Sequence, residues 1–187
     1  MRRSARTAAA YRVVSVHPVP ERRRLPFDPI AEAQRQWEAH GWAPEAAGMA
    51  TVTSIMRLQQ VFLSRADAEL RPFGLTFARF EVLMLLSFST TGSLPLGKIG
   101  ERLQVNPASV TNAVDRLEAQ GLVARRPNPR DGRGTLAAIT RKGRALADRA
   151  TVAMNAHVFT DLGLDLPALQ ALVDALGHLR RSAGDFD

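Results

Sequence analysis

The chain has 187 residues, 45% of them apolar, and no cysteine, so it can bury one substantial core but can form neither disulfides nor thiolate metal sites, and it has no cysteine nucleophile. No apolar run approaches the roughly 18 residues that a membrane span requires. The formal charge of +7 is concentrated: residues 1–27 hold seven arginines against one acid, and residues 122–144 hold seven Lys/Arg against one acid. Two basic blocks on an otherwise acidic body point to polyanion contacts.

Residues 1–27 hold Pro18, Pro20 and Pro26, scattered arginines and few bulky apolar side chains. This composition predicts a disordered basic arm. A transit-type leader and a start codon assigned too far upstream give the same composition, whereas an export signal is disfavoured because no apolar stretch follows Arg2-Arg3. Asp28 and Pro29 then mark a helix start, with Ile30, Ala33 and Trp37 at helical spacing and Gly41 as the stop. A long helix over about 46–71 carries Val52, Ile55, Met56, Phe62, Leu63, Ala66 and Leu70 on one face, interrupted by Gln59 and closed by Pro72 and Gly74. Thr76 is placed to cap a helix over about 77–89, apolar on most sides and therefore expected at the centre of the domain. Thr90 to Ser93 reads as a loop.

The segment from Leu94 to Gly143 is the most specific in the chain. A short helix (LPLGKIGERL) and a tight turn (QVN) precede a second helix (PASVTNAVDRLEAQG). Val110, Ala113, Val114 and Leu117 recur at i, i+3, i+4 and i+7 and face the core, with Ile99 and Leu103 as partners. Asn106 fits the N-cap, Pro107 the first turn and Gly121 the left-handed stop. The exposed residues at the helix start are small and polar: Ala108, Ser109, Thr111 and Asn112, followed by Asp115 and Arg116. A helix entering the major groove needs this combination of close approach and hydrogen-bonding side chains, and its free N–H groups can hold a phosphate. Residues 122–126 and 135–139 then pair as strands, with Pro127, Asn128 and Pro129 before the tip and Gly132 and Gly134 in it. Arg130 and Arg133 reach a narrow minor groove or its phosphates, Asp131 orients a neighbouring arginine, and Arg125, Arg126, Arg141 and Lys142 serve as structural or phosphate contacts. The expected fold is mainly α with a small β-hairpin wing: a winged helix-turn-helix over 76–140 and a helical dimerisation region from 28–75 and 141–187, in one domain over 28–187.

Thr140 caps a helix to about Leu162, and Asp165 caps a last helix with Leu169, Leu172, Val173, Leu176 and Leu179 along a narrow seam. Two helices with long apolar seams at opposite ends of a small chain call for a two-fold dimer. Catalysis finds no support in the sequence. His17, His40, His157 and His178 are dispersed, no HExxH occurs, and Gly97-Lys98 lacks the flanking residues of a phosphate loop. Neither a cofactor nor a metal is expected.

From about Thr51 to Leu146 the chain resembles the MarR family of bacterial transcription regulators. The resemblance rests on FGLTFARFEVLMLL, on IGERLQVNPASVTNAVDRLEAQGLVARRPNPRDGRG and on AAITRKGRAL. It implies a cytoplasmic, nucleoid-associated homodimer that binds a pseudo-palindromic operator in double-stranded DNA, usually as a repressor, with a pocket for a small anionic or aromatic effector. One urate-responsive branch would assign effector roles to Trp37, Glu81 and Arg125, but Asn112 and Ala113 stand where that branch carries an arginine. The competing reading is a non-regulatory, architectural protein whose arm and wing coat the duplex.

Overall fold

The computed structural model describes residues 25–129, 131–160 and 162–187, with residues 131–133 described by backbone alone. The predicted arm, up to residue 24, lies outside the described residues. So do Arg130 and the side chains of Asp131 and Arg133. The chain divides into two compact units, one ending at Thr51 and the other running from Val52 to Asp187.

In the first unit α1 spans Pro29–Ala39, and the Asp28 carboxylate accepts from the Ile30 N–H at 2.9 Å, as the Asp-Pro start predicts. The Trp37 ring meets Trp42 edge-on at 5.3 Å, and His40 stacks on Trp42. Helix α2, Ala43–Leu70, starts three residues before the expected Ala46 and runs on into the second unit.

The second unit is built around a helical core with a small sheet on its edge. After a single 3-10 turn over Arg71–Phe73, Gly74 at φ 68° reverses the chain into α3, Phe77–Phe88. Thr76 occupies the N-cap position, but its side chain does not cap. Asp67 of α2 reaches across instead, accepting from the Phe77 N–H at 2.7 Å. The carboxylate is the stronger acceptor and also ties the two helices together. Phe80, Val82, Leu83 and Leu86 are buried as expected of a central helix, whereas Phe88 is 78% exposed.

Ser93–Pro95, read in sequence as loop and helix start, is instead strand β1. It is too short to show alternation and exists because it pairs antiparallel with residues more than forty positions away, Ser93 opposite Ala138 and Pro95 opposite Leu136. Helix α4 follows over Leu96–Leu103 and α5 over Pro107–Ala119. The Asn106 side chain accepts from the Ser109 N–H at 2.8 Å, and Gly121 takes the left-handed stop at φ 69°. Ile99, Val110, Val114 and Leu117 are buried together, and Leu103 and Ala113 pack against them, the pairing of α4 on α5 that the spacing predicts.

Strands β2, Val123–Asn128, and β3, Asp131–Ile139, complete an antiparallel sheet of order β1-β3-β2. Pro127 lies inside β2 and is tolerated because β2 is an edge strand whose register shifts at Pro127/Asn128. Helix α6, Arg141–Met154, starts on Thr140, whose hydroxyl accepts from the Gly143 N–H at 3.0 Å. The same hydroxyl sits 2.9 Å from the Gly121 carbonyl. Gly143 is required here: an added Cβ would lie 2.1 Å from the Leu122 carbonyl oxygen. The helix ends in one π turn over Asn155–Phe159, where His157 Nδ1 lies 2.9 Å from the Glu69 carboxylate of α2. Asp165 caps α7, Leu166–Ser182, through the Ala168 N–H at 2.9 Å. Along α2 beyond Thr51 and along α7, Val52, Met56, Leu63, Leu172, Val173 and Leu179 stay exposed.

Candidate nucleic-acid interface

A continuous polar surface runs along the outer side of α5. Asn106, Pro107, Ala108, Ser109, Thr111, Asn112, Asp115 and Arg116 are all exposed, while the opposite stripe of the helix is buried. The caps explain why this helix start is presentable. The Asn106 side chain uses the Ser109 N–H, and Pro107 removes one further donor, so few bare backbone groups remain at the tip. The Thr111 hydroxyl bonds back to the Pro107 carbonyl at 3.0 Å, leaving mainly its methyl and a lone pair to face outward.

The structure adds a residue that the sequence reading missed. Ser109, Asn112 and Arg116 of α5 and Gln120 just after it line a shallow concavity together with Thr76 and Arg79 at the start of α3. Arg79 is exposed, and its Nε donates to the Thr76 hydroxyl at 3.2 Å, which holds the guanidinium near the recognition surface. Only the packing of α3 against α5 brings Arg79 to this surface; thirty residues of sequence separate it from Ser109.

The basic block after α5 proves to be functionally mixed. Arg125 of β2 is turned back onto α5. Its backbone N–H and its Nη1 donate to the two oxygens of Glu118 at 2.9 and 2.6 Å, and its Nη2 lies 2.5 Å from Asp115. These bonds hold the Glu118 carboxyl below the usual glutamate range, the backbone N–H first and the guanidinium second. They push the Arg125 guanidinium further up, chiefly through Glu118. This geometry gives Arg125 a structural part: the side chain bolts the base of the wing to α5. Lys142 donates to the Gln120 carbonyl at 2.7 Å and Arg144 to the Ser87 carbonyl at 3.2 Å, so they too hold internal joints. Arg126 is exposed and Asn128 half-buried along β2, before the wing tip.

Within the second unit the effector candidates Glu81 and Arg125 do not converge. Trp37 belongs to the first unit, where it packs on Trp42. Arg125 sits at the junction of α5 and β2. Glu81 lines a recess with Arg102, Gln104, Arg180, Asp185 and Phe186, and partial burial pushes its carboxyl up. A separate apolar groove of about 390 Å³ lies among Phe62, Leu63, Phe77, Val158 and Phe159, with Gln59 as its polar lining residue.

The MarR family model matches residues 75–135, which run from the turn before α3 into the wing. A curated relative, the HTH-type transcriptional repressor Mb2911 of Mycobacterium bovis, is 33% identical over 102 residues, covering 54% of this chain and 72% of the relative. The crystal structure of Sco5413, a MarR-family transcriptional regulator from Streptomyces coelicolor, is 52% identical with a TM-score of 0.69, covering 75% of this chain and 98% of that one. The chain belongs to the MarR family. A MarR mutant from Escherichia coli, solved in complex with operator DNA, superposes with a TM-score of 0.63 at 25% identity, covering 68% of this chain and 91% of its own. Membership makes the winged helix-turn-helix of this chain the DNA-binding part of a transcription regulator. Among the described residues no helix is long and apolar enough to cross a membrane.

Proposed function

We propose that this MarR-family regulator is a homodimeric, effector-responsive repressor that reads a pseudo-palindromic operator. The observation that carries the reading is the exposed polar stripe of α5, Ser109, Asn112 and Arg116, joined by Arg79 of α3 into one surface. In this reading the α5 start enters the major groove, with Asn106, Pro107, Ala108 and Thr111 making the close approach and Asn112 reading a base edge. Arg79 and Arg116 take flanking phosphates. The same reading assigns Arg126, Asn128, Arg130 and Arg133 to the neighbouring minor groove, with Asp131 steering one of the tip arginines.

The exposed seams of α2 and α7 support a dimer, because apolar side chains of this number are rarely left to water in a monomer. A two-fold pair then presents two α5 helices to half-sites about one duplex turn apart. The groove beside Phe62, Phe77 and Phe159 supports an effector site, and its lining favours an aromatic ligand over an anionic one, since it offers one amide and no cation. Such a regulator works in the cytoplasm, on the nucleoid.

Selection of binding sites from a random duplex pool by the purified chain tests the reading. The expected product is an inverted repeat bound by two chains. Recovery of the pool without sequence enrichment would refute operator recognition and favour a duplex-coating protein.

A further inference from the structure

The turn between α4 and α5 contains a feature that the DNA-binding surface does not explain. Gln104 sits at φ 53° and ψ 43°, the one non-glycine residue with positive φ among the described residues. A side chain there is disfavoured, and glycine would be the ordinary occupant. What Gln104 supplies is its amide: Nε2 donates to the backbone carbonyl of Asp185 at 2.9 Å, across 81 residues of sequence.

Asp185 is itself held in place. Gly184, at φ 77°, ends α7 with its N–H on the Arg181 carbonyl, and the Asp185 N–H bonds the Arg180 carbonyl, both at 3.0 Å. This is the paired closure that turns a chain sharply off a helix end. Phe186 then folds back beneath both guanidiniums, 5.1 Å from Arg180 and 4.8 Å from Arg181. The segment after α7 is thus a fixed hook, and the Asp185 carbonyl meets the turn two residues before the Asn106 cap of α5.

We propose that the hook formed by Gly184, Asp185 and Phe186, received by Gln104, is a positioning latch that sets where the recognition helix stands relative to α7, and so sets the operator half-site spacing that the dimer accepts. The inference rests on the operator-binding reading above. α7 carries the apolar seam expected to pair two chains, and α5 carries the reading surface. The latch joins the end of one to the entrance of the other through a single hydrogen bond, so the distance between the two reading helices of a dimer follows from it. Gln104 is a positioning residue and touches no DNA.

The test uses full-length chain and the operator it selects, together with duplexes in which the half-sites are moved apart or together by one base pair. Two variants are compared with wild type: removal of residues 185–187, and Gln104→Gly, which deletes the amide while easing the positive φ. Both should remain dimeric by sedimentation. Both should bind random duplex within about twofold of wild type, and both should lose at least threefold of the discrimination between correct and altered spacing. Combining the two should add nothing, since they break one contact. Spacing discrimination equal to wild type in either variant would overturn the latch, as would loss of dimerisation or a parallel loss on every duplex. Failure of the wild-type chain to select any operator would instead sink the reading on which the latch rests.

Discussion

Gly143 is the point where the wing, the end of the recognition helix and α6 meet, and its replacement by alanine tests the packing argument most directly. The new Cβ would stand 2.1 Å from the Leu122 carbonyl oxygen and 3.0 Å from both the Leu122 carbonyl carbon and Ile139 Cγ1. Non-bonded heavy atoms settle near about 3.5 Å, so helix or turn must yield by more than about 1 Å. That movement strains three bonds: Thr140 N–H to the Leu122 carbonyl, the Thr140 hydroxyl to the Gly121 carbonyl, and the Gly143 N–H to the Thr140 hydroxyl. Overpacking of this kind costs about 1–3 kcal/mol, and loss of a cap about 1 kcal/mol more. Against this stands the roughly 1 kcal/mol by which alanine is the better helix former. The expected net loss is about 1–3 kcal/mol, a fall in Tm of roughly 2–12 °C for a chain of this size. Urea unfolding followed by circular dichroism at fixed protein concentration measures it. Gly177→Ala in α7, where no atom lies within 4 Å of the added Cβ, is the control and should be neutral or slightly stabilising. Equal stability of the Gly143→Ala and Gly177→Ala chains would refute the reasoning.

Arg79→Ala should weaken binding to operator and random duplex alike and lower the slope of log affinity against log salt by about one, as loss of one phosphate contact requires; an unchanged slope in a fluorescence titration excludes that contact. Asn112→Ala should relax sequence preference more than it weakens non-specific binding, and an equal loss on both duplexes would remove Asn112 from the base-reading set. Burial raises the Glu81 carboxyl above its unfolded value, so the stability tied to its protonation is full below the unfolded pKa and is lost as pH rises through the folded one. Glu81→Gln should therefore be more stable than wild type at neutral pH and equal to it in acid, and a difference in Tm that does not change with pH would contradict this.

What the sequence made legible is what local chemistry decides. Asp28, Asn106, Thr140 and Asp165 each cap the helix they precede, because an acceptor two or three residues before a free N–H has little else to do. The Ile99–Val110–Val114–Leu117 cluster followed from spacing alone. What escaped the sequence was set by distant partners. β1 owes its existence to β3, the α3 cap comes from Asp67 in another helix, and Arg79 joins the recognition surface only through helix packing. The same holds for the basic block after α5, where composition alone could not separate arginines that face a polyanion from those that lock the fold.

Arg125 shows why that separation matters for function. Asp115 and Glu118 lie on the recognition helix, and two unpaired carboxylates beside a phosphate backbone would oppose binding. Arg125 reaches both from the first strand of the wing and places a guanidinium between them. One side chain thus pairs both acids and fixes the wing's base to α5. The base of the wing and α5 are thereby joined through two carboxylates. An arginine pointed at DNA would add one phosphate contact; turned inward, it neutralises two carboxylates and ties β2 to α5.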